Sequence, residues 1–471
     1  MQEKILSVGI DIGTTTTQII FSEITVQNTA SSFLVPKIKI TEKNIIYRSK
    51  IYFTPLLSKD KINLKELKKI ILEEYRMAGV EKESISTGAI IITGETSKKE
   101  NAEQVLNVLS DFAGDFVVAT AGADLEAVLA GFGAGSAEIS KNTLDKVINF
   151  DIGGGTTNAA IFSEGELIDS FALNIGGRLL RFDEEGNVIY ISNKINKLIC
   201  SLGLNISIGV KPELKYLRVL ADSFANILFK ISNNNNLLCE EKNLFIEHDN
   251  KKIKVQTLIF SGGVAEFIYS DYEVSTLSDL LKYGDIGPII GISIREILKK
   301  YRCKILEPKE KIRATVIGAG SHSIKISGST IDFNENILPI KNIPIIKLKD
   351  NLLLDEKSLC EGIFNKIKLY SEYAVVAIAF KGLKSPSYKN IQTIAGGISK
   401  AFQKLKDQPI IIVAENDFAK ALGQILRNKC GMYKKIVCID GISTSNGDYI
   451  DIGRPIAGAI PVMVKTLIFN S

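Results

Sequence analysis

One stretch of this 471-residue chain occurs twice. Asp11-Ile-Gly-Thr-Thr-Thr-Thr-Gln-Ile-Ile-Phe-Ser-Glu23 returns as Asp151-Ile-Gly-Gly-Gly-Thr-Thr-Asn-Ala-Ala-Ile-Phe-Ser-Glu164, one residue longer. Each copy follows an apolar run (Ile5 to Ile10; Val147 to Phe150) and precedes another (Gln18 to Phe21; Ala159 to Phe162), so each reads as a β-hairpin with its Gly and Thr residues at the turn. Shared turn chemistry at two distant places points to two halves built on one plan.

The rest of the chain supports that division. In the first half, strands are expected at 37–40 and 45–53. A helix should start at Asn63 with Glu66 in its first turn, bury Leu67, Ile71 and Tyr75, and stop at Gly79. A strand at 89–93, a helix near 98–112, a strand at 116–119 and a helix at 124–132 follow. In the second half, strands run to about Leu173, a helix begins near Gly177, Asn233 to Asn236 read as a loop, and a strand at 256–260 ends in Ser261-Gly-Gly263. Beyond a basic linker near 299–313 come strands at 314–317, 374–380, 410–413 and 436–440, with helices near 391–405 and 416–427. The expected fold class is α/β, with lobes at 1–135 and 136–300 and a C-terminal α/β domain at 301–471. Asp448, Tyr449 and Asp451 alternate with apolar neighbours, as on an edge strand with one wet face.

Composition removes several function classes. Lys plus Arg number 58 against 53 Asp plus Glu, a net charge of +5 spread along the chain, so no basic stripe marks a nucleic-acid surface. Six scattered cysteines without a Cys-x-x-Cys and only two histidines, His248 and His322, argue against structural zinc. No run of about 18 apolar residues suggests a membrane span, and the N-terminus enters a strand pattern at once. A cytosolic protein with reduced thiols is expected.

The turns themselves suggest chemistry. Glycine lets backbone N–H groups approach an anion closely, so Gly13 and Gly153, Gly154 and Gly155 can cradle phosphates. The hydroxyls of Thr14, Thr15 and Thr156 add hydrogen bonds. Asp11 and Asp151 close the preceding strands and place a carboxylate beside those phosphates, where it could hold hydrated Mg²⁺. If the two halves face each other, both turns converge on one polyphosphate.

These loops, followed by Leu258-Ile-Phe-Ser-Gly-Gly-Val264, resemble the superfamily of actin, hexokinase and DnaK-type chaperones. The resemblance implies duplicated actin-like (ribonuclease H-like) ATPase lobes, with ATP and Mg²⁺ as cofactors and Gly262 and Gly263 in the motif that meets adenosine. Gly122 to Gly133 looks like the first connecting helix. Within it, Asp124 falls where those ATPases carry the polar residue that orients the attacking water. An N-cap role for Asp124 is the competing reading, and Glu126 is a second candidate. Asn174 to Leu179 resembles a further Gly-Gly turn (Gly176, Gly177) in which a helix N-terminus lies near nucleotide. There Arg178 is either a phosphate contact or half of an ion pair. Gly284 to Gly291 sits where the second connecting helix belongs.

A closer resemblance spans nearly the whole chain. Thr93 to Ala102, Ala113 to Gly122, Ile175 to Arg178, Phe260 to Glu266, Arg313 to Gly320 and Gly447 to Gly453 are similar to the ethanolamine ammonia-lyase reactivating factor family. That implies an ATP-dependent reactivase whose partner is ethanolamine ammonia-lyase, an adenosylcobalamin enzyme, acting by exchange of damaged cobalamin. It also implies a cytoplasmic location with association to a bacterial microcompartment. Oligomeric state stays open, a homodimer among the options. A small-molecule kinase and a nucleotide-regulated, actin-like scaffold are the other readings. Ile317 to Ser323, Gly-rich and containing His322, reads as a packing turn.

Overall fold

The computed structural model describes residues 2–28, 38–58, 61–94, 96, 99–109, 112, 118–120, 123–246, 248, 252–301, 304–322, 324–326, 331–367, 375–403, 405, 408–431, 433–444, 448–455 and 460–466. Strand Gln2–Ile12 turns at Gly13 into the antiparallel strand Thr16–Asn28, which pairs in turn with Ile38–Arg48. The apolar strand Ile85–Ile92 then lies parallel to Gln2–Ile12, with Val118–Thr120 beyond it. Numbered along the chain, these five main strands stand in the order 3-2-1-4-5. Helix Leu64–Ala78 packs its Leu67, Ile71 and Tyr75 face on this sheet. The side chain of Asn63 accepts from the Glu66 N–H at 3.2 Å, and Gly79 ends the helix at φ +65°, both as expected from sequence.

The second half repeats the order. Strands Val147–Ile152, Thr157–Ser163 and Glu166–Leu173 form the antiparallel unit, and Thr257–Ser261 and Lys304–Ile305 follow in parallel. Again the arrangement is 3-2-1-4-5, with Phe245–Ile246 added at the edge. Two lobes of one ribonuclease H-like topology make this a duplicated actin-like fold. A third, eight-stranded sheet lies in the C-terminal part. Its parallel core of Ile340–Lys347, Ala377–Phe380, Ile410–Ala414 and Ile436–Ile439 is covered on one face by helices Glu356–Ile367, Tyr388–Gln403 and Ala419–Cys430.

The two lobes are joined by an exchange of helices. Helix Ala123–Gly133, which follows the first sheet, packs on the strands of the second. Helix Ala314–Ile317, continued by one π-helical turn at Gly318–His322, follows the second sheet and packs on the strands of the first. Where the two cross, side chains are absent because backbone fills the space. A Cβ on Gly133 would lie 1.8 Å from the Ala314 carbonyl oxygen, and one on Gly318 would lie 1.9 Å from that of Leu129.

Four sequence expectations are corrected here. Residues 314–317 are helix, not strand, because their apolar side chains are buried all round between the lobes. The second connecting element is therefore 314–322, whereas Gly287–Lys300 packs within the second lobe against helix Leu214–Ser232. At Gly177 the chain makes only a three-residue 3₁₀ turn, Gly177–Leu179, before the next strand. Asp448–Ile452 is not an edge strand; it pairs on both sides, with Ile340–Lys347 and Pro461–Thr466, and all five residues are buried. Among the described residues no helix is long and apolar enough to cross a membrane.

Candidate functional site

Both Asp-x-Gly turns open into one cleft of about 1330 Å³ between the lobes. The same hydrogen bond closes each turn. Gly13 N–H donates to the Thr16 carbonyl (2.9 Å) and Gly153 N–H to that of Thr156 (3.0 Å). Ile12 pairs with Thr17 and Ile152 with Thr157, so the turns have equal length and the extra residue of the second copy lies beyond the turn. In each lobe the neighbouring parallel strand secures the acid. Thr93 Oγ1 donates to Asp11 Oδ1 (3.0 Å), and Ser261 Oγ donates to Asp151 Oδ1 (2.7 Å) while accepting from Asn149 Nδ2 (2.9 Å).

The cleft walls bring together Asp11, Gly13, Thr14, Thr15, Asp151, Gly153, Gly154, Gly155, Thr156, Gly177, Gly262 and Gly263. Gly176 lies just behind them, extended against the second loop; a Cβ there would stand 2.4 Å from the Gly154 carbonyl oxygen. Gly177 and Arg178 donate their N–H groups to the Gly153 and Gly154 carbonyls (3.1 and 2.6 Å), so this turn braces the loop from below. Arg178 lays its stem on Gly154 and pairs with Asp285 at 3.6 Å, the ion-pair alternative of the sequence reading. Gly262 has φ +83°, a conformation that favours glycine.

Burial dominates the electrostatics. It pushes the Asp11 carboxyl up to about 7, with Thr93 opposing the shift and the Asp151 charge adding to it. It takes Asp151 to about 6 against the hydrogen bonds of Ser261 and Thr315. Glu126, projecting from the Ala123–Gly133 helix into the same cleft, is raised well above the ordinary carboxylate range by burial and then by Asp151 and Asp11. The Gly94 backbone and the Asn158 side chain hydrogen-bond Glu126 and partly offset that rise. Asp11 and Glu126 keep some surface on the cleft while protein encloses their other sides. Asp124 is the second residue of the same helix, and its side chain lies outside the described residues.

A family model described as ethanolamine utilisation protein EutA matches residues 3–470. The chain belongs to the EutA family. The ethanolamine ammonia-lyase reactivase EutA of Salmonella typhimurium is 34% identical over 471 residues, covering 99% of both chains. The protein of the same description from Escherichia coli is 34% identical over 476 residues, again covering 99% of each. Among solved structures, a Ppx/GppA family member from Aquifex aeolicus matches 67% of this chain and 97% of its own, with a TM-score of 0.41 and 15% identity.

Several residues that hold this EutA-family site together were not singled out from sequence. Thr54 and Thr96 both donate their hydroxyls to the Gly13 carbonyl (2.8 and 3.1 Å), which fixes the first loop from two sides. Thr315, on the crossing helix, places its hydroxyl 3.4 Å from Asp151 Oδ2. Thr93-Gly-Glu-Thr96 carried a usable signal, a polar cluster directly after an apolar strand. Thr315 lay within the Arg313 to Gly320 stretch that carries the family resemblance but had no role attached to it, and Thr54 carried no signal, because an isolated threonine is brought to the loop only by the fold.

Proposed function

We propose that this chain is an ATP-dependent reactivase for ethanolamine ammonia-lyase, which uses nucleotide hydrolysis to promote exchange of damaged cobalamin for intact adenosylcobalamin. The observation that carries the ATPase part is the pair of turns closed by the same hydrogen bond and facing one cleft, each preceded by a carboxylate that burial pushes upward. The client comes from the two relatives, whose names state that reactivase activity at 34% identity over nearly their full length.

In this reading the N–H groups and hydroxyls of Thr14, Thr15 and Thr156 and the backbone at Gly153 to Gly155 bind the phosphates. The residues fit an anion with a counter-ion. Thr15 Oγ1 and Asn158 Oδ1 are buried without a hydrogen-bond partner among the described residues, and two acids stand where burial, and for Asp11 also the Asp151 charge, resists their ionisation. Mg²⁺ would be held by Asp11 and Asp151, largely through its own waters, and would supply charge neutralisation on the phosphates. In this reading Glu126, which lines the cleft beside Asp11 and Asp151, accepts the proton of an attacking water. Asp124 stays the alternative for that role. Gly262 and Gly263 would flank the nucleoside.

The crossing helix gives the hydrolysis somewhere to act. Thr315 touches Asp151, Gln18 Nε2 donates to the Ile312 carbonyl (3.2 Å), and Ser7 Oγ donates to that of Gly320. The chain then passes directly into Ile324–Ile326, the edge strand of the third sheet. A change of lobe closure is thereby handed to the C-terminal domain, whose affinity for client must differ between nucleotide states.

The test is recovery of deamination when turnover-inactivated ammonia-lyase is mixed with this protein, ATP, Mg²⁺ and fresh adenosylcobalamin. Activity should return with the wild type and fail to return with Glu126→Gln, whose ATP consumption should fall roughly a hundredfold or more. ATP consumption without recovery by the wild type would remove the client and leave the ATPase.

A further inference from the structure

Beyond the phosphate loops the cleft continues along the second lobe to three rings. Phe267 and Tyr272 stand edge-to-face with centroids 5.3 Å apart, Phe267 and Tyr283 likewise at 5.0 Å, and Tyr272 and Tyr283 at 6.0 Å. All three line the same cleft as Asp11 and Asp151. Phe267 sits on helix Ala265–Ile268, which starts just after Gly262-Gly263, so the rings adjoin the segment that the nucleotide reading places against the nucleoside.

Two properties separate this group from ordinary core. Tyr283 is 38% exposed, so the cluster offers a ring to the cleft instead of closing over itself. The loop carrying Tyr272 is also held rigidly. Arg295 donates to the carbonyls of Ser270 and Tyr272, the latter at 2.9 Å, and the Tyr272 hydroxyl donates to the Asp279 carbonyl at 2.9 Å. Gly291 makes room for the arrangement, since a Cβ there would stand 2.6 Å from that of Phe267. An aromatic surface fixed in advance binds a flat ring without first losing entropy.

We propose that Phe267, Tyr272 and Tyr283 form a stacking platform for the base of the bound nucleotide and make the site selective for purines. This rests on the nucleotide reading above and adds the base to it. Selection comes from ring area: the Tyr272 hydroxyl is committed to Asp279, and a purine offers a larger face than a pyrimidine.

Calorimetric titration of the full chain with ATP, CTP and inorganic tripolyphosphate, each with Mg²⁺, tests this. ATP should bind about tenfold or more tightly than CTP or tripolyphosphate. Tyr283→Ala should bring ATP to the level of CTP and leave tripolyphosphate unchanged, and Tyr283→Phe should behave as wild type. Equal affinities for all three ligands in the wild type, or an ATP preference that survives Tyr283→Ala, would overturn the platform while leaving the triphosphate site intact. If none of the three binds, the nucleotide reading itself falls together with the platform.

Discussion

Asp11 and Asp151 are acids kept in surroundings that oppose their ionisation, and this has a consequence for stability. Their carboxyls sit at about 7 and about 6 in the folded chain, above the ordinary unfolded value near 4. Between about pH 4 and 7 the native state therefore holds protons that the unfolded state has released, and stability falls as pH rises through that window. Asp11→Asn removes its share of the cost. Without ligand, its Tm should exceed that of the wild type at pH 8 and converge with it near pH 4, as read by calorimetry; a lower Tm at pH 8 would contradict the burial argument. The same substitution should lower Mg²⁺-dependent hydrolysis by more than about tenfold, roughly 1.4 kcal/mol in the barrier. Both acids were legible from sequence because each closes an apolar strand ahead of a glycine turn. Glu126 was less so: from sequence it was one of two nearby acids on a helix, and its nearness to Asp11, Asp151 and Asn158 came only with the fold.

At the scale of elements, the decisive feature is the crossing of Ala123–Gly133 with 314–322. Gly133, Gly318, Gly9 and Gly320 let backbone meet backbone; a Cβ on Gly9 would lie 2.5 Å from the Val316 carbonyl oxygen. Adding a methyl group forces two rigid helices apart, so Gly318→Ala should cost about 1–3 kcal/mol, measured as a lower denaturant midpoint for the transition of the lobes. An unchanged midpoint would mean that the crossing yields easily. The sequence misled here for a definite reason. Ala-Thr-Val-Ile followed by glycines has the β-branched composition of a strand, and four residues are too few for period 2 to be told from 3.6. Burial on every side, supplied by two lobes at once, decides for helix. The 3₁₀ turn at Gly177 has a similar origin: its N–H groups are taken by the Gly153 and Gly154 carbonyls.

In the molecule as a whole, the chain that runs from the crossing helix into the third sheet also touches the cleft, through Thr315. Thr315→Val keeps side-chain volume but removes the hydroxyl facing Asp151. Hydrolysis should stay within about fivefold of wild type while reactivation of the ammonia-lyase falls by about tenfold or more, a separation that two assays on one preparation can read. Parallel loss of both would confine Thr315 to catalysis. By itself the sequence determined that there are two like lobes, where each carries its acid and its glycine turn, and that an α/β segment follows. These are local matters of strand, turn and composition, written in consecutive residues. The fold alone decided which helix crosses back, which hydroxyls reach the loops, that Asp448–Ile452 lies inside its sheet, and that three rings far from the first loop share its cleft. Those depend on contacts between segments hundreds of residues apart, such as Ser7 with Gly320, and no window of sequence contains both partners.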